Sequence, residues 1–129
     1  MNPPMHKRVR NLFADAGLSD GFKVQLLMWR DSGKSTDSFI VFRPNGGTQI
    51  DRDMGSEYYV LVDVISGADV SFYESTDTAV QRIIEYVQQN PISDSCVGQI
   101  LNMGGIPSPV TTTEGRLVYR LQFRCVYGE

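Results

Sequence analysis

Several things are scarce in these 129 residues. There are two cysteines, Cys96 and Cys125, and a single histidine, His6. Two cysteines are too few for a disulfide framework. Cys125 lies in an alternating pattern and reads as a small buried thiol. With one histidine there is no His-rich cluster, and no HExxH or CxxC spacing suggests zinc. No apolar run approaches the ~18 residues that a membrane span needs. The basic first ten residues have no apolar stretch behind them, so no secretory leader is expected. Basic residues are in the minority: 12 Lys and Arg against 15 Asp and Glu give a net charge of −3. A non-specific nucleic-acid binder draws its affinity from Lys and Arg neutralising phosphates, so this balance argues against one. No cofactor, membrane or nucleic-acid partner is expected.

What is present is the patterning of one α+β domain spanning 1–129. Met5, Val9, Leu12, Phe13 and Ala16 recur on one helical face, with Gly17 as a stop and Asn2 as a possible cap. His6, Lys7, Arg8 and Arg10 fall on the other face. Phe22, Val24, Leu26 and Met28 alternate, which predicts a strand over 22–30. Residues 38–43 form a second strand, apolar on both faces, and Pro44-Asn45-Gly46-Gly47 predicts a turn. Residues 58–65 are the most β-prone run. A second helix, capped by Ser75 or Thr76, places Val80, Ile83, Ile84 and Val87 on one face and stops at Asn90-Pro91. Residues 97–103 predict a strand. Two prolines make 106–113 a loop or an edge strand. Residues 116–127 alternate throughout, with Arg116, Arg120 and Arg124 on one side. The architecture expected is a mainly antiparallel sheet with two helices packed on one face.

The chemical motifs fail on inspection. Gly33-Lys34-Ser35-Thr36 resembles the end of a phosphate-binding loop, but Met28 stands where the first glycine belongs and a strand follows instead of a helix. Asp51, Asp53 and Glu57 suggest a calcium loop, yet counting from Asp51 puts Ser56 at position six and Val62 at position twelve. Asp63, inside an apolar strand, reads as an outward carboxylate paired with Arg120 or Arg124. His6 has no nucleophile or carboxylate in a triad-like pattern nearby. No enzymatic activity is expected. If both helices cover one face, the other exposes apolar side chains, and such a patch marks a protein interface. Leu61→Asp or Tyr59→Asp is then expected to weaken association and leave the fold intact. A different binding module, such as a small oligomeric adaptor or a toxin-neutralising protein, would share these features.

The whole layout resembles the phage tail terminator family, that of the lambda-type minor tail protein U. The resemblance lies in the helix over 4–18, the strand ending Phe39-Ile40-Val41-Phe42-Arg43-Pro44, and the run over 57–67. It continues in the helix over 78–89 and the strand over 116–127. It implies a virion protein, made in the bacterial cytoplasm, that forms a hexameric ring with itself. Such a ring caps the tail tube, ends its growth and offers a surface for head joining; another head–tail completion protein is the alternative that the same resemblance leaves open. The implied partners are the tail tube protein and a head-completion protein. Phe39, Val41, Tyr59, Leu61, Ile65, Arg120 and Arg124 are the candidate subunit interface. Lys34, Asp51, Arg52 and Asp53, in the loops over 31–37 and 44–55, are candidates for tube or head contacts.

Overall fold

A computed structural model describes residues 2–48, 56–92 and 95–127. Its elements follow the order α1 (Met5–Asp15), β1 (Lys23–Leu26), β2 (Phe39–Gly47), β3 (Ser56–Ile65), α2 (Tyr73–Gln89), β4 (Gln99–Met103), β5 (Val110–Thr111) and β6 (Leu117–Tyr127). A short 3-10 turn, Val70–Phe72, leads into α2. The strands form a six-stranded sheet in the order β1-β2-β3-β6-β4, with β5 also paired to β6. Only β1 and β2 run parallel; every other pairing is antiparallel. The expected α+β class is what the chain adopts.

Alternation along the strands sorts side chains into two faces. Ile40 and Phe42 of β2, Val60, Val62 and Val64 of β3, and Leu121, Phe123 and Cys125 of β6 join the helix residues Val9, Phe13, Val80 and Ile83 in one core. Phe13 meets Phe42 and Phe123 edge-on, with ring centroids 5.3 and 5.9 Å apart. Both helices thus seal the same face, as their apolar stripes predict.

Several local expectations need correction. The turn signals at Pro44–Gly47 do not reverse the chain. β2 runs on to Gly47, and the ladder shifts register between Pro44 and Gly47. Positive φ at Gly46 and Gly47 serves an irregular strand, chemistry that bulges share with turns. β1 stops at Leu26, because Leu27 takes φ 72° and Met28 N–H bonds back to the Leu26 carbonyl at 2.8 Å. Met28 therefore points to solvent and not into a sheet face. Asn2 is no cap, since Pro4 precedes α1 without a side-chain cap bond. α2 begins at Tyr73, and Ser75 and Thr76 both donate to the Phe72 carbonyl from within the first turn.

The polar face of α1 also differs from expectation. His6 and Arg8 are buried. The Arg8 guanidinium stacks 4.8 Å from the Tyr127 ring and donates to the carbonyls of Pro3 and Cys96, each at 2.8 Å. A long side chain that folds its stem against the core while its head finds carbonyls has no periodic signature.

Candidate assembly face

The sheet face turned away from the helices carries the remaining strand side chains. Five rows cross it: Phe39, Ile65 and Val118; then Val41, Asp63 and Arg120; then Arg43, Leu61, Gln122 and Met103; then Tyr59, Arg124 and Leu101; then Glu57, Val126 and Gln99. All seven candidate interface residues, Phe39, Val41, Tyr59, Leu61, Ile65, Arg120 and Arg124, share this face.

They do not share the same exposure. Phe39, Val41 and Ile65 are buried in a second small cluster with Trp29 and Val118. The cover comes from the chain's own β1–β2 connection. Trp29 stands edge-on to Phe39 at 5.8 Å. Arg116 is fully buried beneath it, its guanidinium 5.7 Å from the Trp29 ring and 5.3 Å from the Phe39 ring. Arg116 donates to the carbonyls of Asp37 (2.7 Å), Lys34 (3.0 Å) and Ser66 (3.1 Å), and lies 3.6 Å from the Asp31 carboxylate. Ala68 N–H adds a bond to the Ser35 carbonyl at 2.7 Å. Arg116 is thus no member of a surface stripe but the clamp of a loop. The surface share of the candidate interface falls to Tyr59, Leu61, Arg120 and Arg124.

Beyond the clamp the face is half-bare. Asp63 is buried between two arginines, accepting from Arg43 at 2.7 Å and from Arg120 at 3.0 Å. The pairing with Arg120 is the one expected; Arg43 was masked by the turn reading of the next four residues. Two guanidinium groups against one carboxylate leave this trio one positive charge in excess. Arg124 and Glu57 form a looser pair at 3.6 Å. Tyr59, Leu61, Leu101 and Met103, each half-buried, supply apolar surface between the charges.

Lys34 sits exposed on the clamped loop, held through its carbonyl while its ammonium is not part of the clamp. That loop leads into β2 and no helix, so the phosphate-loop geometry is not formed. Asp51, Arg52 and Asp53 lie outside the described residues.

The titratable groups with shifted pKa values are dispersed. Burial pushes the Cys125 thiol up to about 12 inside the core. Burial, with the hydrogen bond to Asp77, raises the Tyr119 phenol to about 12. Burial, helped by Lys7 and Arg10, lowers His6. His6 lines a mostly apolar groove of about 220 Å³ with Pro4, Met5, Pro44, Tyr58 and Tyr59. None of these groups faces another in an acid–base arrangement. Among the described residues no cluster of three or more His, Cys, Asp or Glu side chains is placed to hold a metal ion, and no helix is long and apolar enough to cross a membrane.

One sheet face is sealed by helices, and the other is half-bare with apolar and charged side chains interleaved. Residues 2–129 match the family described as "Phage tail termination protein". The chain belongs to that family and is a structural protein of the phage tail, a component of the virion. Among solved structures, a chain of the "Virion of native gene transfer agent (GTA) particle" is similar. It is 14% identical, with 92% of this chain and 89% of that one covered, at a TM-score of 0.49. No curated protein matches the sequence.

Proposed function

We propose that this protein ends tail growth in the manner of the lambda-type minor tail protein U, as a single-domain subunit of a hexameric ring. The ring caps the tail tube and offers a surface to a head-completion protein, and the chain carries out no catalysis. It is made in the bacterial cytoplasm. The observation that carries this reading is the family match over residues 2–129. The half-bare face supports it: Tyr59, Leu61, Arg120 and Arg124 combine apolar area with excess positive charge, a mixture suited to a protein partner. The loop bearing Lys34 is tied down by Arg116 through the Lys34 and Asp37 carbonyls, which reduces the entropy that a contact there would cost.

The test is tube assembly. Tail tube protein of the same phage is polymerised with and without this chain, and tube lengths are measured by electron microscopy. The expected result is shorter tubes that carry a cap at one end. Unchanged lengths with no bound chain would overturn the reading.

A further inference from the structure

The exposed large apolar side chains of this protein are not scattered. Val24, Leu27 and Met28 lie in β1 or directly after it, with Leu27 58% and Met28 68% exposed. Ile92, Ile106 and Val110 lie along the opposite side of the sheet, with Ile92 78% and Val110 68% exposed. Ile92 follows Pro91, whose carbonyl accepts the Ile100 N–H at 2.8 Å from the outer side of β4. Ile106 follows β4, and Val110 belongs to β5. Among the described residues only Val70 is comparably large, apolar and exposed elsewhere.

These six residues mark the two ends of one strand order, since β1 and β4 are its terminal strands. Each end has backbone groups aimed outward. Lys23 N–H bonds to the Ser38 carbonyl just before β2 and Leu27 N–H to the Phe42 carbonyl, so the groups of Val24 between them face away from β2. The Ile100 N–H points away from β6 and is taken by the Pro91 carbonyl, whereas two residues on the Asn102 N–H repeats that direction. Ile100 and the Leu26 carbonyl are satisfied within the chain, so Val24 and Asn102 are the edge positions left for strand addition, a kind of site that proteins normally guard.

We infer that the β1 edge of one copy docks against the β4–β5 edge of the next, so that copies of this chain meet edge to edge. The inference rests on the ring reading above. A ring requires two different surfaces on opposite sides of each subunit, and this sheet supplies them. Direction agrees: the pairings make β4 antiparallel to β1, so a neighbour placed side by side presents an antiparallel edge. Charge agrees as well. Residues 22–30 carry Lys23 and Arg30 and no acid, whereas 99–115 carry Glu114 and no base. The left-handed Leu27 adds a third mark. A bulky residue at φ 72° is strained, yet it is pinned by its own N–H to the Phe42 carbonyl at 2.9 Å. That conformation turns Leu27 and Met28 outward. Pro107 and Pro109 restrict pairing beside β5, so β4 is the strand partner, and Ile106 and Val110 contribute side-chain contact.

The experiment uses the full chain with Cys96→Ser, leaving Cys125 buried, and adds Leu27→Cys, Val110→Cys or both. A short bis-maleimide is applied to the free protein over a range of concentrations and to the protein on tube ends. The doubly substituted chain is expected to give a ladder of cross-linked species beyond the dimer, and each single substitution no ladder. Met28→Asp is expected to weaken self-association roughly tenfold or more while the melting temperature stays near that of the parent. No ladder from a chain whose light-scattering mass is oligomeric would overturn the edge contact and leave the ring standing, with the copies meeting elsewhere. A chain that is monomeric both free and on tube ends would overturn both.

Discussion

Replacing Arg116 by methionine removes the clamp that holds the β1–β2 connection against the sheet. Three carbonyl oxygens lose a charged donor: those of Asp37, Lys34 and Ser66. Asp37 and Lys34 lie in an accessible loop and can turn to water. Ser66 is buried, so its carbonyl bears most of the loss, and bonds to a charged donor are worth about 1.5–3 kcal/mol. Methionine also relieves the cost of burying a guanidinium whose Nε has no partner, which offsets part of the loss. The net expectation is a destabilisation of about 1–2.5 kcal/mol. Trp29 is the only tryptophan and packs on Phe39 beside the guanidinium, so its emission reports loop docking directly. The assay is urea unfolding followed by Trp29 fluorescence and by far-ultraviolet circular dichroism. Native emission should shift to the red and the midpoint should fall. Arg116→Lys should act in the same direction, since an ammonium keeps the charge and loses the planar fork. A loss under about 0.5 kcal/mol, the range of ordinary surface substitutions, with unchanged emission would refute the clamp.

Four further outcomes are expected. Leu61→Asp and Tyr59→Asp should impair assembly on the tube with little change in melting temperature; an unfolded variant would place those side chains in the core. Asp63→Asn should lower stability by about 2–3 kcal/mol in chemical denaturation, because it leaves Arg43 and Arg120 facing each other without the carboxylate. One thiol, Cys96, should react with a maleimide in the native protein and two after denaturation, since Cys125 is buried and kept protonated. His6 is held below its ordinary 6.5, so the unfolded chain takes up that proton first as pH falls. Its contribution is present above about pH 6.5 and is lost below it. Unfolding measured from pH 7.5 to 5 should therefore show a decline that His6→Gln reduces.

The two helices and β6 were legible because burying one face imposes a period that the residues repeat many times over. The same argument placed Tyr59, Leu61, Arg120 and Arg124 together, since alternation on paired strands is geometry and not chance. Arg116 was illegible for a related reason. It occupies the same parity as Arg120 and Arg124, and only contacts with residues 79 and 82 positions away distinguish a buried clamp from a surface charge. Pro44–Gly47 misled because glycine at positive φ serves a strand irregularity as readily as a turn. Arg8 and His6 misled because polarity, read residue by residue, does not report where a long side chain ends. The edge residues Leu27 and Met28 fitted a strand pattern whose last turns the backbone does not follow.

The clamped connection has one more consequence. It lies at the end of the sheet where β2 begins, β3 finishes and β6 starts, together with the hairpin joining β5 to β6. The opposite end carries the start of α1, Pro44, Tyr58 and the groove between them. The molecule is therefore polar along its strands, with a tryptophan-bearing pole at one end and a tyrosine-lined one at the other. Copies related only by rotation about a common axis all point the same way, so any closed circle of them has two unlike rims. In the proposed ring, one rim would face the tube and the other the head, and the unlike ends of a single subunit would supply the difference.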